Sequence, residues 1–252
     1  MKKLLLLCLA SLLLASCASG VRSKTAAPKG IEDLLEEYER EETAKYRADR
    51  ESYFPRTELL PEEDPVRLTL REAARKLIGK KGRSITVKGE RFTNDCSGMV
   101  RGVYSAVGID LMAEAGRFGP DANGVEIIFD TYKDAAWSGG DRLPRAGDLI
   151  FFNNSYDKNR NGIWDDPLTH VSLVTGVEED GTIVYIHHVS RGGQRYRMNL
   201  DRVGVYKDGS KRMNDFLRRR PKRDKDQKKY LSDALFFSFV DVLGSKAAVR
   251  QR

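Results

Sequence analysis

The chain has 252 residues, which is enough for one domain of ordinary size with additional segments at its ends. Its formal net charge is +7, and 32% of its residues are charged. The N-terminus, taken next, predicts export, and outside the cytoplasm we do not expect nucleic acid as the partner of this basic excess. Anionic wall polymers, lipid head groups or an ordinary solvated surface remain.

The N-terminus predicts a bacterial lipoprotein signal peptide over residues 1–16. Two lysines precede an apolar run over residues 4–14, which is too short to span a bilayer but suits the apolar part of a signal peptide. Residues 14–17, LASC, resemble a lipobox, in which the chain is cut before the cysteine and the thiol is acylated. The alternative is an ordinary signal peptide. The lipobox predicts Cys17 as the lipidation site, and Ala18 in place of an aspartate indicates the outer membrane, facing the periplasm.

Residues 17–65 are predicted to form a lipidated tether that is partly helical. Its first part is small and polar, as in flexible linkers. Residues 31–38 then place apolar side chains at helical spacing among many charges, which is typical of an exposed helix.

The folded domain is predicted over residues 66–205. A helix-start signal at Asp64-Pro65 precedes apolar residues that recur with helical period over residues 66–78. A second helical pattern follows Cys96 and ends at Gly108.

The rest of this domain reads as strands. Residues 110–145 show no clear period and are predicted to be rich in loops. Three runs, residues 148–152, 169–177 and 181–189, have the composition and turn boundaries of strands. Helices first and an antiparallel sheet afterwards predict an α+β domain.

Residues 206–252 are predicted to be a basic tail with an amphipathic helix. A dense basic run over residues 211–229 precedes YLSDALFFSFVDVLG, residues 230–244. The latter segment is too short to span a membrane, so we expect a helix packed on the domain or on a partner.

Cys96 is the one thiol that this scheme leaves free. Cys8 is removed with the signal peptide and Cys17 carries lipid, so the mature chain forms no intramolecular disulfide. With Asn94 or Asp95 as N-cap, Cys96 opens a helix whose positive end lowers a thiol's pKa, as a nucleophile requires. Its backbone N–H is a candidate oxyanion donor. The alternative is a small core residue.

The chain has three histidines, His170, His187 and His188, all downstream of Cys96. A cysteine at a helix start with histidine on later strands fits a nucleophile and its base. His187 and His188 are neighbours in a strand, so their side chains point to opposite faces and only one can face His170. The alternative is that all three are ordinary polar strand residues.

Four stretches, DCSGMVRGVYSAVGIDL, PRAGDLIFF, THVSLVTG and YIHHVSRGG, resemble in that order the NlpC family of bacterial cell-wall cysteine peptidases, over residues 66–205. The resemblance implies a papain-like α+β fold, with N-terminal helices packed on an antiparallel sheet, and a triad of cysteine, histidine and a polar third residue. Carried onto this chain, Cys96 is the nucleophile and His170 the base. His187, which follows an isoleucine as in the family's Ile-His pair, orients His170, and His188 is the fallback.

The resemblance also implies that Asp95 and Ser97, beside the nucleophile, contact substrate. Typical members carry a tyrosine upstream of the nucleophile that shapes the cleft. The corresponding ITVKGERF has none, and Phe92 is the candidate to fill part of that space. This departure bears on the preference for peptidoglycan stem peptides and not on catalysis.

The function that follows from the resemblance is hydrolysis of an amide bond in peptidoglycan peptides by a membrane-anchored enzyme that needs no cofactor for catalysis. The family implies the D-glutamyl–diaminopimelate bond. Two alternatives stay open: an inactive domain that serves as a wall-binding or scaffolding lipoprotein, and an acyltransferase on a papain-like scaffold.

Residues 157–166, DKNRNGIWDD, resemble the front of an EF-hand calcium loop, with oxygen ligands that alternate before a glycine. The predicted ligands are the side chains of Asp157, Asn159 and Asn161, the carbonyl of Ile163, and Asp165 or Asp166. An aspartate would replace the usual bidentate glutamate, because the twelfth position is Leu168. The alternative is a polar turn. Structural calcium here would fix the loop just before His170.

Overall fold

The computed structural model describes residues 64–139, 142–189 and 192–251. The predicted signal peptide, the lipidation site Cys17 and the tether up to residue 63 lie outside the described residues. In the part of the chain that is described, none of the helices combines the length and apolar character needed to cross a bilayer.

The described α-helices are α1 Pro65–Arg75, α2 Cys96–Ser105, α3 Gly124–Tyr132, α4 Ser232–Leu235 and α5 Lys246–Val249. The first two confirm the helices expected from periodicity, and α1 ends three residues before residue 78. Helix α3 lies in the segment predicted to be rich in loops. It is only 9 residues long, too short to show a clear period, and a capping box between Asn123 and Glu126 fixes its start.

The strands are β1 Ser84–Val87, β2 Glu90–Thr93, β3 Ala136–Trp137, β4 Leu149–Phe152, β5 His170–Val177, β6 Ile183–Val189, β7 Gly192–Met198, β8 Lys207–Asp208, β9 Lys211–Arg212 and β10 Phe236–Val240. Six of them form one sheet in the order β3-β10-β4-β5-β6-β7, and every pairing in it is antiparallel. The hairpins β1–β2 and β8–β9 stand apart from it. Helices and an antiparallel sheet confirm the α+β class.

The sheet is buried on both faces, which explains why β4 is apolar at every position. Leu149 and Phe151 belong to a core that includes residues of α1, α2 and α3. Ile150 and Phe152 alternate with them and belong to a second core, which includes Phe239 of β10. All four β4 side chains are fully buried. A strand whose successive side chains fill opposite cores has no polar face, so its sequence reads as a continuous apolar run.

The segment after residue 205 is part of the domain, and the helix predicted over residues 230–244 is wrong. Residues 236–240 form β10, which pairs with β3 on one side and β4 on the other. Only Ser232–Leu235 of that prediction is α-helical. Phe239 and Val240 belong to opposite cores, which is the two-residue period of a strand. Of the two expectations, packing on the domain or on a partner, the structure shows the first, as a strand and not as a helix.

A buried ion-pair network joins distant parts of the chain. Arg67 of α1 donates to Asp148 at 2.8 Å and to Asp241 at 2.7 Å. Arg145 contacts the same Asp241 at 2.9 Å. The network links α1 and the first residue after β10 to the residues just before β4. Removal of one partner would leave a buried charge without its counter-ion, which is strongly destabilising.

Candidate active site

Cys96 is the first residue of α2, directly after the hairpin β1–β2. Asp95 is the N-cap: its backbone is extended, and its carboxylate accepts from the N–H of Gly98 at 2.7 Å and from the hydroxyl of Ser97 at 2.9 Å. Asn94, the other candidate, instead donates to the carbonyl of Gly82 at 2.7 Å. The cap therefore ties Asp95 and Ser97 to the same turn that presents the thiol.

Gly98 is required by the way the chain enters this helix. A Cβ at that position would lie well inside 3.0 Å of the carbonyl and the hydroxyl of Thr93, at the end of β2. The close crossing of β2 over the first turn of α2 fixes where Cys96 projects. The glycine of the Asp-Cys-Ser-Gly motif thus has a steric reason.

The sulfur of Cys96 lies where the sheet opens. Pairing between β5 and β6 ends at Leu173 and Ile186, although β5 begins at His170 and β6 continues to Val189. The backbone N–H of Val171, next to His170, hydrogen-bonds the Cys96 sulfur. The N-terminus of α2 therefore presents its thiol to the first residues of β5.

His170 and His187 are in direct contact. Nδ1 of His187 and Nε2 of His170 are 2.7 Å apart, and both side chains are buried. His188 points to the other face of β6, where it is half-buried and interacts electrostatically with Asp95. Of the two candidates for a third residue, the structure brings His187 to His170.

The thiol and the imidazole are both neutral in the resting site. Burial raises the pKa of the Cys96 thiol, and the nearby Asp95 carboxylate adds to the effect. The N–H groups of Val171, Ser97 and Cys96 act against it without overcoming it. Burial, with a contribution from His188, lowers the pKa of His170 to about 3. The expectation that the helix N-terminus would lower the thiol's pKa is therefore wrong, because burial outweighs the local donors.

Phe92, which was expected to fill part of the substrate cleft, contacts a later part of α2 than Cys96. It packs on α2 against Gly102, with the guanidinium of Arg101 5.8 Å from its ring centroid. These contacts lie more than one helical turn past Cys96, and among the described contacts none joins Phe92 to the thiol. They make Phe92 part of the packing between the hairpin and the helix.

Helix α3 is a wall of the site that the sequence did not reveal. A Cβ on Gly124, its first residue, would lie 2.9 Å from the hydroxyl oxygen of Ser97. The start of α3 therefore touches the residue after Cys96. The signal that could have located it is the capping-box spacing from Asn123 to Glu126.

The loop predicted to bind calcium lies between β4 and β5, directly before His170. Its polar residues contact one another: Asn161 lies between Asp157 and Asp165, while Asn159 lies between Asp165 and Asp166. Among the described residues, no three side chains of His, Cys, Asp or Glu lie close enough together to hold a metal ion.

A family model matches this chain, namely that of the NlpC/P60 family, over residues 80–215. The match covers more than half of the chain and includes Cys96 and all three histidines. No curated protein and no solved structure matches significantly.

Proposed function

We propose, since the chain belongs to the NlpC/P60 family of cell-wall hydrolases, that it is a cysteine peptidase that cleaves an amide bond of peptidoglycan peptides. Cys96 is the nucleophile, His170 the general base and acid, and His187 the residue that orients His170. The observation that carries the proposal is the 2.7 Å contact between His187 and His170, on a strand whose next residue, Val171, hydrogen-bonds the thiol at the start of α2 through its backbone N–H.

The proposed roles set the proton positions on the two histidines. For Nδ1 of His170 to take the thiol's proton, the neutral imidazole carries its hydrogen on Nε2 and donates it to Nδ1 of His187 across the 2.7 Å contact. Nδ1 of His170 then carries the free lone pair and accepts the proton of the thiol. Because both groups are neutral at rest, the proton leaves the sulfur as the sulfur attacks the carbonyl carbon.

The remaining steps follow from acid–base catalysis. Attack by the sulfur gives a tetrahedral intermediate, whose oxyanion is stabilised by the backbone N–H of Cys96 at the helix start. His170 returns its proton to the departing amine, which leaves an acyl-enzyme. His170 then removes a proton from water, which hydrolyses the thioester and restores the thiol.

Asp95 gives the site a negative charge close to the nucleophile. Burial raises the pKa of its carboxyl, but hydrogen bonds from Gly98, Ser97 and Thr93 outweigh burial, and the net effect is a lowered pKa. Asp95 is therefore ionised at neutral pH, which suits a substrate with an ammonium group near the bond to be cleaved. Peptidoglycan stem peptides carry such groups, and within them the family implies the D-glutamyl–diaminopimelate bond.

Digestion of purified peptidoglycan tests this proposal. We expect the wild type to release soluble muropeptide fragments, with one new amine per bond cleaved, and Cys96→Ser to release them at least about 10³-fold more slowly, because a serine hydroxyl is a far weaker nucleophile than a thiol. Mass analysis of the fragments identifies the bond. Equal release by the two proteins would contradict the proposal.

A second candidate is a wall-binding lipoprotein without catalysis. The observation that favours it is the raised pKa of the Cys96 thiol, because a reactive cysteine usually has a lowered one. Centrifugation of the same digests separates the two candidates. If the wild type and Cys96→Ser both sediment with intact peptidoglycan and neither releases soluble fragments, the result favours binding alone.

We also propose that Cys17 carries the lipid anchor, so that the enzyme acts from the outer membrane towards the wall in the periplasm. The support is the lipobox at residues 14–17, and the tether of residues 17–65 would give the domain its reach.

A further inference from the structure

The loop over residues 157–166 contains a buried carboxylate oxygen that no described donor or cationic side chain contacts. Asp166 is only 3% exposed, and its Oδ2 atom is buried with no hydrogen-bond partner. None of the described ion pairs includes it. A buried carboxylate oxygen is costly unless a donor or a cation compensates for it. The proposed catalysis does not use this group.

The Asp166 carboxylate is turned into the loop. Its Oδ1 atom accepts from the backbone N–H of Asn159 at 3.3 Å, which places the partnerless Oδ2 beside the same turn. Asp157 accepts from the N–H groups of Asn161 and Gly162 at 3.2 and 3.0 Å. The amides of Asn159 and Asn161 reach Asp165 at 3.2 to 3.3 Å. Two asparagines thus link the carboxylates of the loop: their backbone N–H groups donate to Asp166 and Asp157, and their side-chain amides donate to Asp165.

We propose that this loop binds one Ca²⁺ ion, with Asp166 and Asp157 as the charged ligands and neutral oxygens as the rest. Aspartate and asparagine oxygens and backbone carbonyls are the ligands of a hard cation, and Ca²⁺ accepts six to eight of them in a flexible geometry. The side-chain oxygens of Asn159 and Asn161 accept from the N–H groups of Asn161 and Ile163 at 3.0 and 2.7 Å, and each oxygen keeps a second lone pair for the ion. Because three carboxylates are not clustered in the described residues, neutral ligands must dominate, which suits Ca²⁺ and excludes a compact zinc site.

The ion would fix the loop against the strand that carries His170. Asn154 and Asp166 exchange two hydrogen bonds, of 2.8 and 2.9 Å, across the base of the loop. The N–H of Leu168 donates to the side chain of Asn153, at the end of β4, at 2.9 Å. Asp166 is four residues before His170, so a ligand that immobilises Asp166 also immobilises the start of β5.

The loop also contacts helix α3, which lies beside Ser97 on the cysteine side of the site. Lys158 pairs with Glu126 at 2.5 Å. Glu126 closes the capping box of α3, and the first residue of α3 abuts Ser97. Occupation of the loop by Ca²⁺ would therefore stabilise the start of β5, which carries His170, and the start of α3, which abuts Ser97. This inference concerns metal binding and stands whether or not the protein is a peptidase.

Trp164, inside the loop, provides a direct measurement. We expect Tb³⁺, added to the full chain in detergent, to give emission sensitised by tryptophan that saturates, and Ca²⁺ to displace it at about 10⁻⁴ to 10⁻³ M, as in extracellular calcium modules. Mg²⁺ should displace it poorly, because it needs a tighter octahedral site. Asp157→Asn should weaken Tb³⁺ binding at least about tenfold. Glu179→Gln, a carboxylate in an exposed turn elsewhere, is the matched control and should leave binding unchanged.

Thermal stability gives a second readout that does not depend on activity. We expect Ca²⁺ at ten times its dissociation constant to raise the melting temperature of wild type and of Cys96→Ser equally, by a few degrees. The melting temperature of Asp166→Asn should not rise with Ca²⁺. If Asp166→Asn does not fold, Asp157→Asn replaces it, with the same expected result. The proposal is overturned by emission that does not saturate, by equal Tb³⁺ affinity of Asp157→Asn and wild type, or by a wild-type melting temperature that Ca²⁺ does not change.

Discussion

At the scale of single residues, the neighbours His187 and His188 show what a sequence can and cannot assign. The alternation of a strand requires one of them to face away from His170, but alternation alone does not say which. The family's Ile-His pair indicates His187, and the contact of 2.7 Å with His170 agrees with that choice. The direction of the pKa shift of Cys96 was beyond sequence reasoning, because burial is a property of the packed structure.

This difference between the two histidines gives a direct prediction. We expect His187→Ala to lower kcat about 10²-fold or more with little change in KM, because His170 loses the acceptor that fixes its tautomer. His187→Asn keeps an acceptor oxygen and should recover part of the rate. His188→Ala should retain most of it. The measurement is a pH profile of kcat for the three variants, and a loss in His188→Ala as large as that in His187→Ala would contradict the assignment.

At the scale of elements, the strongly periodic or wholly apolar segments were predictable and the short ones were not. Helix α2 and strands β4, β5 and β6 follow directly from their patterns. Helix α3 and the hairpin β1–β2 are too short for a period to show. Strand β10 was misread as a helix because Phe239 and Val240 are buried in opposite cores, so the segment reads as an apolar run without the apolar–polar alternation of a half-buried strand.

The start of α2 is the element whose geometry the site depends on most. We expect Gly98→Ala to destabilise the protein by about 1–3 kcal/mol or more and to reduce activity, because the new methyl group must displace the backbone of Thr93 and with it Cys96. The measurements are the denaturant midpoint and the rate of peptidoglycan release.

Two other glycines serve as controls. A Cβ on Gly102 would meet only side-chain atoms, at 3.2 to 3.4 Å, and one on Gly116 would meet nothing within 4 Å. Gly102→Ala should therefore be milder than Gly98→Ala, and Gly116→Ala close to neutral. A Gly98→Ala variant as stable as Gly116→Ala would show that the crossing of β2 is not tight.

At the scale of the whole molecule, the predicted domain boundary at residue 205 was too early. Arg67 contacts Asp148 and Asp241, which lie 81 and 174 positions further along the chain. Sequence patterns do not reveal contacts of that range. The residues after 205 fill the second core and supply a strand inside the sheet. They are therefore part of the fold that positions His170, although their basic composition suggested a separate tail.

The proposed lipid anchor at Cys17 also concerns the whole molecule. We expect the wild type to incorporate radiolabelled palmitate and to sediment with outer membranes, and Cys17→Ser to do neither, because the acyl chains supply the membrane affinity. Peptidoglycan release by purified Cys17→Ser should match that of the wild type. Incorporation of label by Cys17→Ser would contradict the lipobox.

The position of β10 also sets the order in which the sheet can close. The strand pairs with Trp137 and with β4, about a hundred residues earlier, and it lies between them in the sheet. Until residues 236–240 are in place, β3 and β4 have no strand to join them, and the slow long-range closure has not begun. The six-stranded sheet therefore stays incomplete while every segment before β10 folds.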